Sequence, residues 1–353
     1  MTNNIQFSSV CGIDIAKSVM QVYKVTSDGV VSNKAVKRAD FLNEFRNTPP
    51  ALIGMEACGG SQHWARELQS LGHTVRLMPP KLVKPYVTGL KNDKNDARGI
   101  YTALEMGVRE VPVKSAAIRD LALLQTMRAK RQREKVAKIN HIRGILTEYG
   151  LVMGKSLNAF LAKAGSLIVE LKDRADVSPY VVSELIAFFR EVKEAMEKIK
   201  ELETNIDSIA KTFKQYDLFR SAPGVGPITA ATMLVLLCNP AVFKNGREFA
   251  AYIGLAPKSS GSGGKNFVTH IPKKYECKNE VKTLLVQGAH AITRSKHKSD
   301  WVSSILARKP KKWPLSPLQI SLPGSYGLWQ RKERSLKNAS SCPPYRDTYE
   351  KHR

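Results

Sequence analysis

Short apolar segments of strand length dominate the first hundred residues, and they constrain the fold more than any other feature of this sequence. Each is apolar, or alternates apolar with polar side chains, and turn residues or glycines separate them. They lie at 10–15, 20–25, 30–36, 51–55 and 73–78. Segments with helical periodicity follow the third, fourth and fifth of them. This pattern predicts an α/β domain that opens with a β-hairpin meander.

The periodicity changes after residue 115. One or two long helices are predicted over 115–149, and from Leu185 to Phe213 apolar residues recur at spacings of three and four. Glu and Lys flank this second series, which is typical of a coiled-coil seam or a helical hairpin. Such a seam usually mediates association between proteins, so we predict a homo-oligomer, either a dimer or a tetramer.

The charge balance identifies a class of partner. The chain has 56 Lys and Arg against 31 Asp and Glu, a net charge of +25, which is typical of a protein that binds a large polyanion. Seven basic residues and one acid fall between Arg128 and Arg143, and we interpret this helix as facing nucleic-acid phosphates. A solvated helical face, or a passive basic protein such as a ribosomal one, remains the alternative.

Other features exclude several classes of protein. No uninterrupted apolar run approaches the roughly 20 residues that a membrane span requires, so no membrane partner is expected. The first residues lack a basic segment followed by an apolar one, so they do not resemble a secretion signal. The five cysteines are scattered and form no CxxC pair, which disfavours a disulfide scaffold or a zinc site. We therefore expect a cytoplasmic protein.

Four acidic residues occupy unusual positions. Asp14 interrupts a predicted strand and Glu56 ends another, while Asp93 and Asp96 are three residues apart and share one face of a helix. Carboxylates brought this close repel one another and require a cation, and hard oxygen ligands favour Mg²⁺ or Mn²⁺. Such metals assist phosphoryl transfer. The alternative is that Asp14 faces solvent and the Asp93–Asp96 pair only caps a helix.

Two glycine-containing segments lie in the last third of the chain. PGVG at 223–226 precedes a predicted helix, and its backbone N–H groups would suit a DNA phosphate, as in helix-hairpin-helix elements. A simple corner between helices explains it equally well. In the Ser/Gly-rich stretch 258–265, Ser262 has glycine on both sides, so its hydroxyl is accessible to a substrate. Composition alone favours a flexible linker there.

Seven ordered motifs carry a family resemblance. They read GIDIAKSVMQV, GMEACGGSQHWARELQSLGH, MPPKLVKPYV, KNDKNDA, SAPGVGPITA, FAAYIGLAP and SGGK. In this order they resemble the DEDD transposases of the IS110 family, most closely its IS1111 branch, to which the pilin-gene invertase Piv is related. The match runs from about residue 10 to about residue 308, and seven ordered motifs make it highly specific.

The resemblance implies an architecture and a domain layout. An α/β RuvC-like (RNase H-like) DEDD domain would occupy 8–112, or extend to 150. Basic helices and a coiled coil would follow at 113–214, and a mainly α C-terminal transposase domain with the PGVG element and the serine loop at 215–308. A protein of this type would be found in the bacterial cytoplasm, associated with the nucleoid.

The resemblance also implies a chemistry. Asp14, Glu56, Asp93 and Asp96 match the family's metal-binding and catalytic acids, with Mg²⁺ or Mn²⁺ as the cofactor. Ser262 matches its nucleophilic serine. Family members cut and rejoin DNA at element ends and targets through a serine–DNA link, and some are guided by a structured bridge RNA. The partners implied are therefore DNA, a guide RNA and further copies of the chain.

The tail departs from the family pattern. Relatives continue after RKP with an apolar helix, whereas here 309–353 contains several prolines, abundant Ser and Arg, and no helical period. We interpret it as a frameshifted or degenerate tail that impairs this copy; a genuine divergent extension is the alternative. We also expect it to lack an apolar core and to be sensitive to proteolysis.

Two other functions remain open on the residues alone. A RuvC-like junction nuclease would use the acids with water as the nucleophile, leaving Ser262 structural. A non-enzymatic nucleic-acid-binding protein would use only the basic helices. Covalent trapping of DNA separates a serine recombinase from both.

Overall fold

The computed structural model describes most of the first 308 residues. The described ranges are 7–90, 92–239, 243, 245–256, 259–262, 265–268, 280–295 and 300–308. The tail at 309–353, with the predictions made for it, lies outside them. The chain divides into two compact units, Met1–Ser115 and Ala116–Arg353.

The first unit is a five-stranded mixed sheet with helices. Its strands are β1 (Ser9–Ile15), β2 (Val19–Thr26), β3 (Val31–Lys37), β4 (Ala51–Glu56) and β5 (Thr74–Met78). Its helices are α1 (Asn43–Arg46), α2 (Ser61–Ser70), α3 (Pro80–Val83), a 3₁₀ turn (Lys84–Tyr86) and α4 (Asp93–Glu105). The predicted α/β domain and its five strands are therefore confirmed.

The sheet order places the first strand at its centre. The order is β3-β2-β1-β4-β5, with β1 antiparallel to β2 and parallel to β4. The antiparallel meander β1–β2–β3 followed by parallel strands matches the RuvC-like arrangement that the family resemblance implies. β3 is an edge strand of this sheet.

Two apolar cores cover opposite faces of the sheet because side chains alternate along each strand. One core contains Ile13 of β1 with Phe41, Phe45 and Trp64. The other contains Leu52 of β4 with Ile100 and Leu104 of α4. In β1 and β4, the residues that alternate with those of the first core therefore lie on the opposite face of the sheet and face α4.

The second unit is mainly helical. Its helices are α5 (Ala116–Glu148), α6 (Leu157–Lys172), α7 (Pro179–Lys211), α8 (Gln215–Arg220), α9 (Pro227–Leu236), α10 (Gly246–Tyr252), α11 (Glu280–Arg294) and α12 (Asp300–Arg308). Strands β6 (Ser259–Ser262) and β7 (Lys265–Val268) form an antiparallel pair. Within the stretch 258–265, interpreted from composition as a flexible linker, the described residues 259–262 and 265 therefore lie in paired strands. Among the described helices, none is long and apolar enough to cross a membrane.

The apolar seam predicted from Leu185 to Phe213 lies mostly on α7 and is covered by the same chain. Leu185 and Val192 pack with residues of α5 and α6, and Ile206 packs with Leu121 of α5 and Tyr216 of α8. The seam is thus an intramolecular core, which corrects its interpretation as an association surface. The oligomer remains a prediction without this support.

The same packing bears on the predicted domain layout. The core that contains Leu121 and Ile206 continues through α8, α9 and α11. Apolar contacts therefore cross residue 214, where the helical middle and the C-terminal domain were expected to separate. The three-domain layout remains a prediction.

Replacing Ile206 by Asp tests the intramolecular seam. The Ile206 side chain is fully buried, so an unpaired carboxylate there should lower the free energy of unfolding of the second unit by at least about 3 kcal/mol. Urea denaturation followed by circular dichroism measures this. Asn205→Asp, on the exposed face of the same helix, is the control and should change little. A variant of unchanged stability that falls to a smaller mass in light scattering would instead place Ile206 between chains.

Candidate functional site

Asp14 and Glu56 are brought side by side by the parallel pairing of β1 with β4. Ile13 pairs with Met55 in this ladder, and the two acids come one residue later in each strand. Because alternate residues share a face, both carboxylates lie on the face that α4 covers. Both side chains are half-buried.

Asp93 and Asp96 occupy the first turn of α4. The side chain of Asn92 caps this helix by accepting a hydrogen bond from the backbone N–H of Asn95 at 2.8 Å. One carboxylate oxygen from each of Asp14, Asp93 and Asp96 lies within 4.8 Å of the others. The predicted clustering of these three acids is therefore present.

Gly12 allows α4 to approach the sheet this closely. A Cβ atom at Gly12 would lie 2.3 Å from the carbonyl oxygen of Ala97 and 2.4 Å from the backbone nitrogen of Tyr101. Only a residue without a side chain fits beneath this part of the helix. Gly12 was not among the predicted site residues, although a glycine inside a strand pattern is a known signal of close backbone approach.

Glu56 belongs to the same electrostatic environment but stands outside the group of three. Its pKa is raised by burial first, and then by the negative charges of Asp14 and Asp96. The group whose oxygens come within 4.8 Å of one another comprises Asp14, Asp93 and Asp96. Of the four predicted acids, the structure thus joins three closely and places the fourth next to them.

The charge on Asp14 is unfavourable in the metal-free protein. Burial raises its pKa, and the neighbouring carboxylates of Asp96 and Asp93 raise it further. A divalent cation would remove this repulsion, and a donor set made only of carboxylate oxygens suits Mg²⁺ or Mn²⁺. The residues present therefore fit the metal that the family resemblance implies.

Ser262 is the last residue of β6, and its backbone pairs with Lys265. It belongs to the second unit, whereas the four acids belong to the first. The described part of the structure gives the backbone of this hairpin only, so the predicted roles of the Ser262 hydroxyl and of Lys265 remain predictions.

The basic residues of α5 are used differently from the prediction. Arg128 pairs with Glu203 of α7 at 2.6 Å, and Lys138 pairs with Glu191 of the same helix. Arg143 donates hydrogen bonds to three consecutive backbone carbonyls beginning at Gly154. Arg128 and Lys138 thus connect α5 to acids of α7, and Arg143 connects α5 to the segment that precedes α6. This corrects the interpretation that all seven face phosphates.

Some basic residues of α5 remain available to a polyanion. Arg131 and Arg133 are exposed, as is Lys130. Lys130 lies 3.8 Å from Glu134, one helical turn away, which is an exposed pair of little energetic weight. The phosphate-facing interpretation therefore narrows to these three residues.

The PGVG turn packs against α11. Gly224 has φ of +78°, and a Cβ there would lie 2.8 Å from the carbonyl oxygen of Gly288. A Cβ at Gly288 would lie 2.2 Å from the carbonyl oxygen of Gly224. Two backbones in contact explain both glycines as the packed corner between helices, and a phosphate-binding role for this turn stays a prediction.

Comparisons with known proteins identify the class of protein. A transposase family model matches residues 11–151, which include the four acids, and the model described as "Transposase IS116/IS110/IS902 family" matches residues 216–303. The chain is therefore a transposase, a class of enzyme that cuts and rejoins DNA.

Curated relatives cover most of the chain. The "Probable family 20 transposase" of Pseudomonas aeruginosa is 34% identical over 85% of this chain and 90% of the relative. The transposase for insertion sequence element IS1111A of Coxiella burnetii is 31% identical over 85% of this chain and 83% of its own length. The transposase for element IS1328 of Yersinia enterocolitica is 26% identical, with 85% and 90% covered. The chain belongs to the IS110 family of transposases, and the resemblance found in the sequence is confirmed.

Proposed function

We propose that this transposase is a site-specific DNA recombinase that combines a carboxylate-bound divalent metal with a serine nucleophile. The observation that carries the proposal is the approach of Asp14, Asp93 and Asp96 to within 4.8 Å of one another in a chain of this family. Such a group of acids is costly without a cation, and acids with perturbed pKa values are typical of functional sites.

The acids have separate tasks in this proposal. Asp14, Asp93 and Asp96 hold Mg²⁺ or Mn²⁺, and Glu56, on the neighbouring strand, is the fourth candidate ligand. When bound, the metal neutralises charge that develops on the phosphate oxygens during phosphoryl transfer. The acids must be ionised to bind it, so the raised pKa values of Asp14 and Glu56 make binding weaker at low pH.

Ser262 is the proposed nucleophile. Its Oγ forms a bond to the scissile phosphorus while the bond from phosphorus to one sugar oxygen breaks, and the hydroxyl proton passes to a proton acceptor. The departing sugar oxygen takes up a proton, and a strand remains linked to the protein. A sugar hydroxyl of the partner strand then displaces the serine, which restores the side chain and rejoins DNA without net hydrolysis.

The partners follow from charge and family. The net charge of +25 and the exposed Lys130, Arg131 and Arg133 favour binding of DNA at the element ends and the target. We also propose a structured guide RNA and an oligomer of two or four chains, on the family resemblance. A structured non-coding segment beside the gene in the flanking DNA would support RNA guidance.

Covalent trapping tests this function. Wild-type protein incubated with Mg²⁺ and a labelled suicide substrate that carries the element junction should give a shifted band on a denaturing gel. Ser262→Ala should lose this band completely, because alanine has no hydroxyl to attack phosphorus. Ser259→Ala and Ser260→Ala, in the same strand, are matched controls and should retain it. Peptide mapping of the adduct should return Ser262.

Other outcomes identify the alternatives. Metal-dependent cleavage without an adduct would favour the RuvC-like nuclease that uses water, and retention of joining by Ser262→Ala would return the β6–β7 hairpin to a structural role. DNA binding without cleavage would favour the non-enzymatic protein. A version in which an apolar helix replaces 309–353 separates that last result from inactivation by the tail.

A further inference from the structure

The first turn of α4 is tied to the sheet by two side-chain amides, that of Gln21, which lies within the motif GIDIAKSVMQV, and that of Asn33, which lies outside the seven motifs. Gln21 lies in β2 directly opposite Asp14 in the antiparallel ladder, and its side chain is buried. Its Nε2 donates a hydrogen bond to Oδ1 of Asn33 in β3 at 2.6 Å. The Nδ2 of Asn33 in turn donates to the backbone carbonyl of Lys94 at 3.1 Å.

This pair of hydrogen bonds, the Gln21–Asn33 relay, connects the two elements that carry the acid cluster. One end is the β2 residue opposite Asp14, and the other end is the peptide carbonyl of Lys94 between Asp93 and Asp96. A carbonyl oxygen has two lone pairs, so Lys94 can accept from Asn33 while it also serves the helix. The relay therefore holds the start of α4 without interrupting it.

The position of α4 needs such support because its acids repel the acid beneath them. One carboxylate oxygen from each of Asp14, Asp93 and Asp96 lies within 4.8 Å of the others, and like charges this close repel one another. Gly12 sets how closely the middle of the helix approaches, but it exerts no pull on the first turn. The relay supplies a directional contact at that turn.

We propose that Gln21 and Asn33 are positioning residues for the metal site, fixing the distance between the carboxylates of Asp14 and those of the α4 pair. This inference rests on the proposed metal-binding function. Partners one shell removed from a metal typically change its affinity by 10–100-fold when they are lost. The relay acts through backbone position and contributes no ligand atom.

Manganese binding by the full chain tests the relay. Asn33→Leu removes both hydrogen bonds with little change of volume, and we expect the Mn²⁺ dissociation constant, measured by electron paramagnetic resonance, to rise about 10–100-fold. Gln21→Met should give a similar rise. The double variant should be no worse than Asn33→Leu alone, because either change breaks the same connection. Additive losses would overturn the relay as a unit.

Thr26, at the end of the strand β2 that contains Gln21, provides a matched control. Thr26 exchanges side-chain hydrogen bonds with the backbone of Val30 at 3.1 and 3.2 Å, and Thr26→Val removes them without touching the acids. This variant should bind Mn²⁺ like the wild type. An equal loss of affinity in Thr26→Val would show a general effect of loosening the sheet and would overturn the proposal.

Hydrogen exchange on the metal-free protein gives a readout independent of metal. Loss of the relay should speed exchange of the backbone amides of Asn95 and Asp96, whereas Thr26→Val should not. Faster exchange with unchanged Mn²⁺ affinity would show that the relay stabilises α4 without affecting the metal site. Unchanged exchange would show that the relay does not hold α4, and would overturn the proposal. A wild-type protein that binds no Mn²⁺ would contradict the proposed metal site, and the exchange rates would then still decide whether the relay holds α4. Asn33→Ala replaces the leucine variant if the latter does not fold.

Discussion

Asp14→Asn is expected to abolish strand exchange and, at the same time, to make the metal-free protein more stable at neutral pH. The substitution removes a carboxylate that has an oxygen within 4.8 Å of one oxygen of Asp93 and one of Asp96. Loss of a metal ligand in phosphoryl transfer should reduce the rate by about a thousandfold or more. DNA binding should persist, because the basic residues proposed to bind DNA are unchanged.

The stability change follows from the sign of the pKa shift. Burial and two neighbouring carboxylates raise the pKa of Asp14 in the folded state. A carboxyl group with a raised pKa stabilises the fold below its unfolded pKa of about 3.9, and that contribution is lost as pH rises through the folded value. Metal-free wild-type protein should therefore lose stability over this range. Asp14→Asn should lose less stability over the same pH range. The pKa of Glu56 is also raised, so the stability of this variant should still fall somewhat with pH.

Thermal unfolding between pH 4 and pH 8, with and without Mg²⁺, measures both effects. Wild type should gain Tm on adding Mg²⁺ at neutral pH, and Asp14→Asn should not. Asp28→Asn, in the β2–β3 turn, is the control, because it removes the same charge as Asp14→Asn. Hydrogen bonding to Thr26 lowers the pKa of the Asp28 carboxyl, so the contribution of Asp28 to stability changes with pH in the opposite direction to that of Asp14. Full recombination by Asp14→Asn in Mg²⁺ would contradict the metal site.

Gly12→Ala is expected to damage both the first unit and its site. The new Cβ would overlap the backbone of α4 at Ala97 and Tyr101, and backbone atoms cannot move aside as a flexible side chain can. The helix must shift or the strand must bend, at a cost of about 3 kcal/mol or more. Any shift of α4 moves Asp93 and Asp96 away from Asp14, so metal binding and recombination should fall together.

The neighbouring strand offers a close control. Gly54 pairs with Gly12 across the parallel ladder, and its added Cβ would meet side-chain atoms of Leu104 and Met78 at 3.0 Å. These flexible groups can move, so Gly54→Ala should cost distinctly less and retain metal-induced stabilisation. Urea denaturation and Mn²⁺ binding compare the two variants. Equal effects would mean that close packing of α4 on β1 does not set the site.

The sequence was sufficient for those features that depend on local pattern. Alternating apolar residues identified the five strands of the first unit, and ordered motifs identified the family. The acids could be singled out because a carboxylate in or at the end of a buried strand, such as Asp14 or Glu56, is unusual wherever it occurs. These signals depend on residues close in sequence.

Features that have two possible partners could not be predicted from the sequence. The apolar seam that includes Ile206 could be covered by another chain or by α5, and periodicity is the same in both cases. The basic residues of α5 were similarly ambiguous, because the sequence does not show whether Arg128 binds a phosphate or pairs with Glu203. The β6–β7 hairpin was missed because its Ser and Gly residues are typical of linkers.

The sequence by itself determined the α/β class of the first unit, the family of the chain and the four acids that are candidates for its site. Tertiary structure alone decided that Asp14 meets Asp93 and Asp96, since these residues are about eighty positions apart and only the contact of α4 with β1 unites them. It also decided the tasks of Gly12, Gln21 and Asn33. Steric clearance and hydrogen bonds between distant segments leave no periodic trace in a sequence, because they depend on where the chain returns in space.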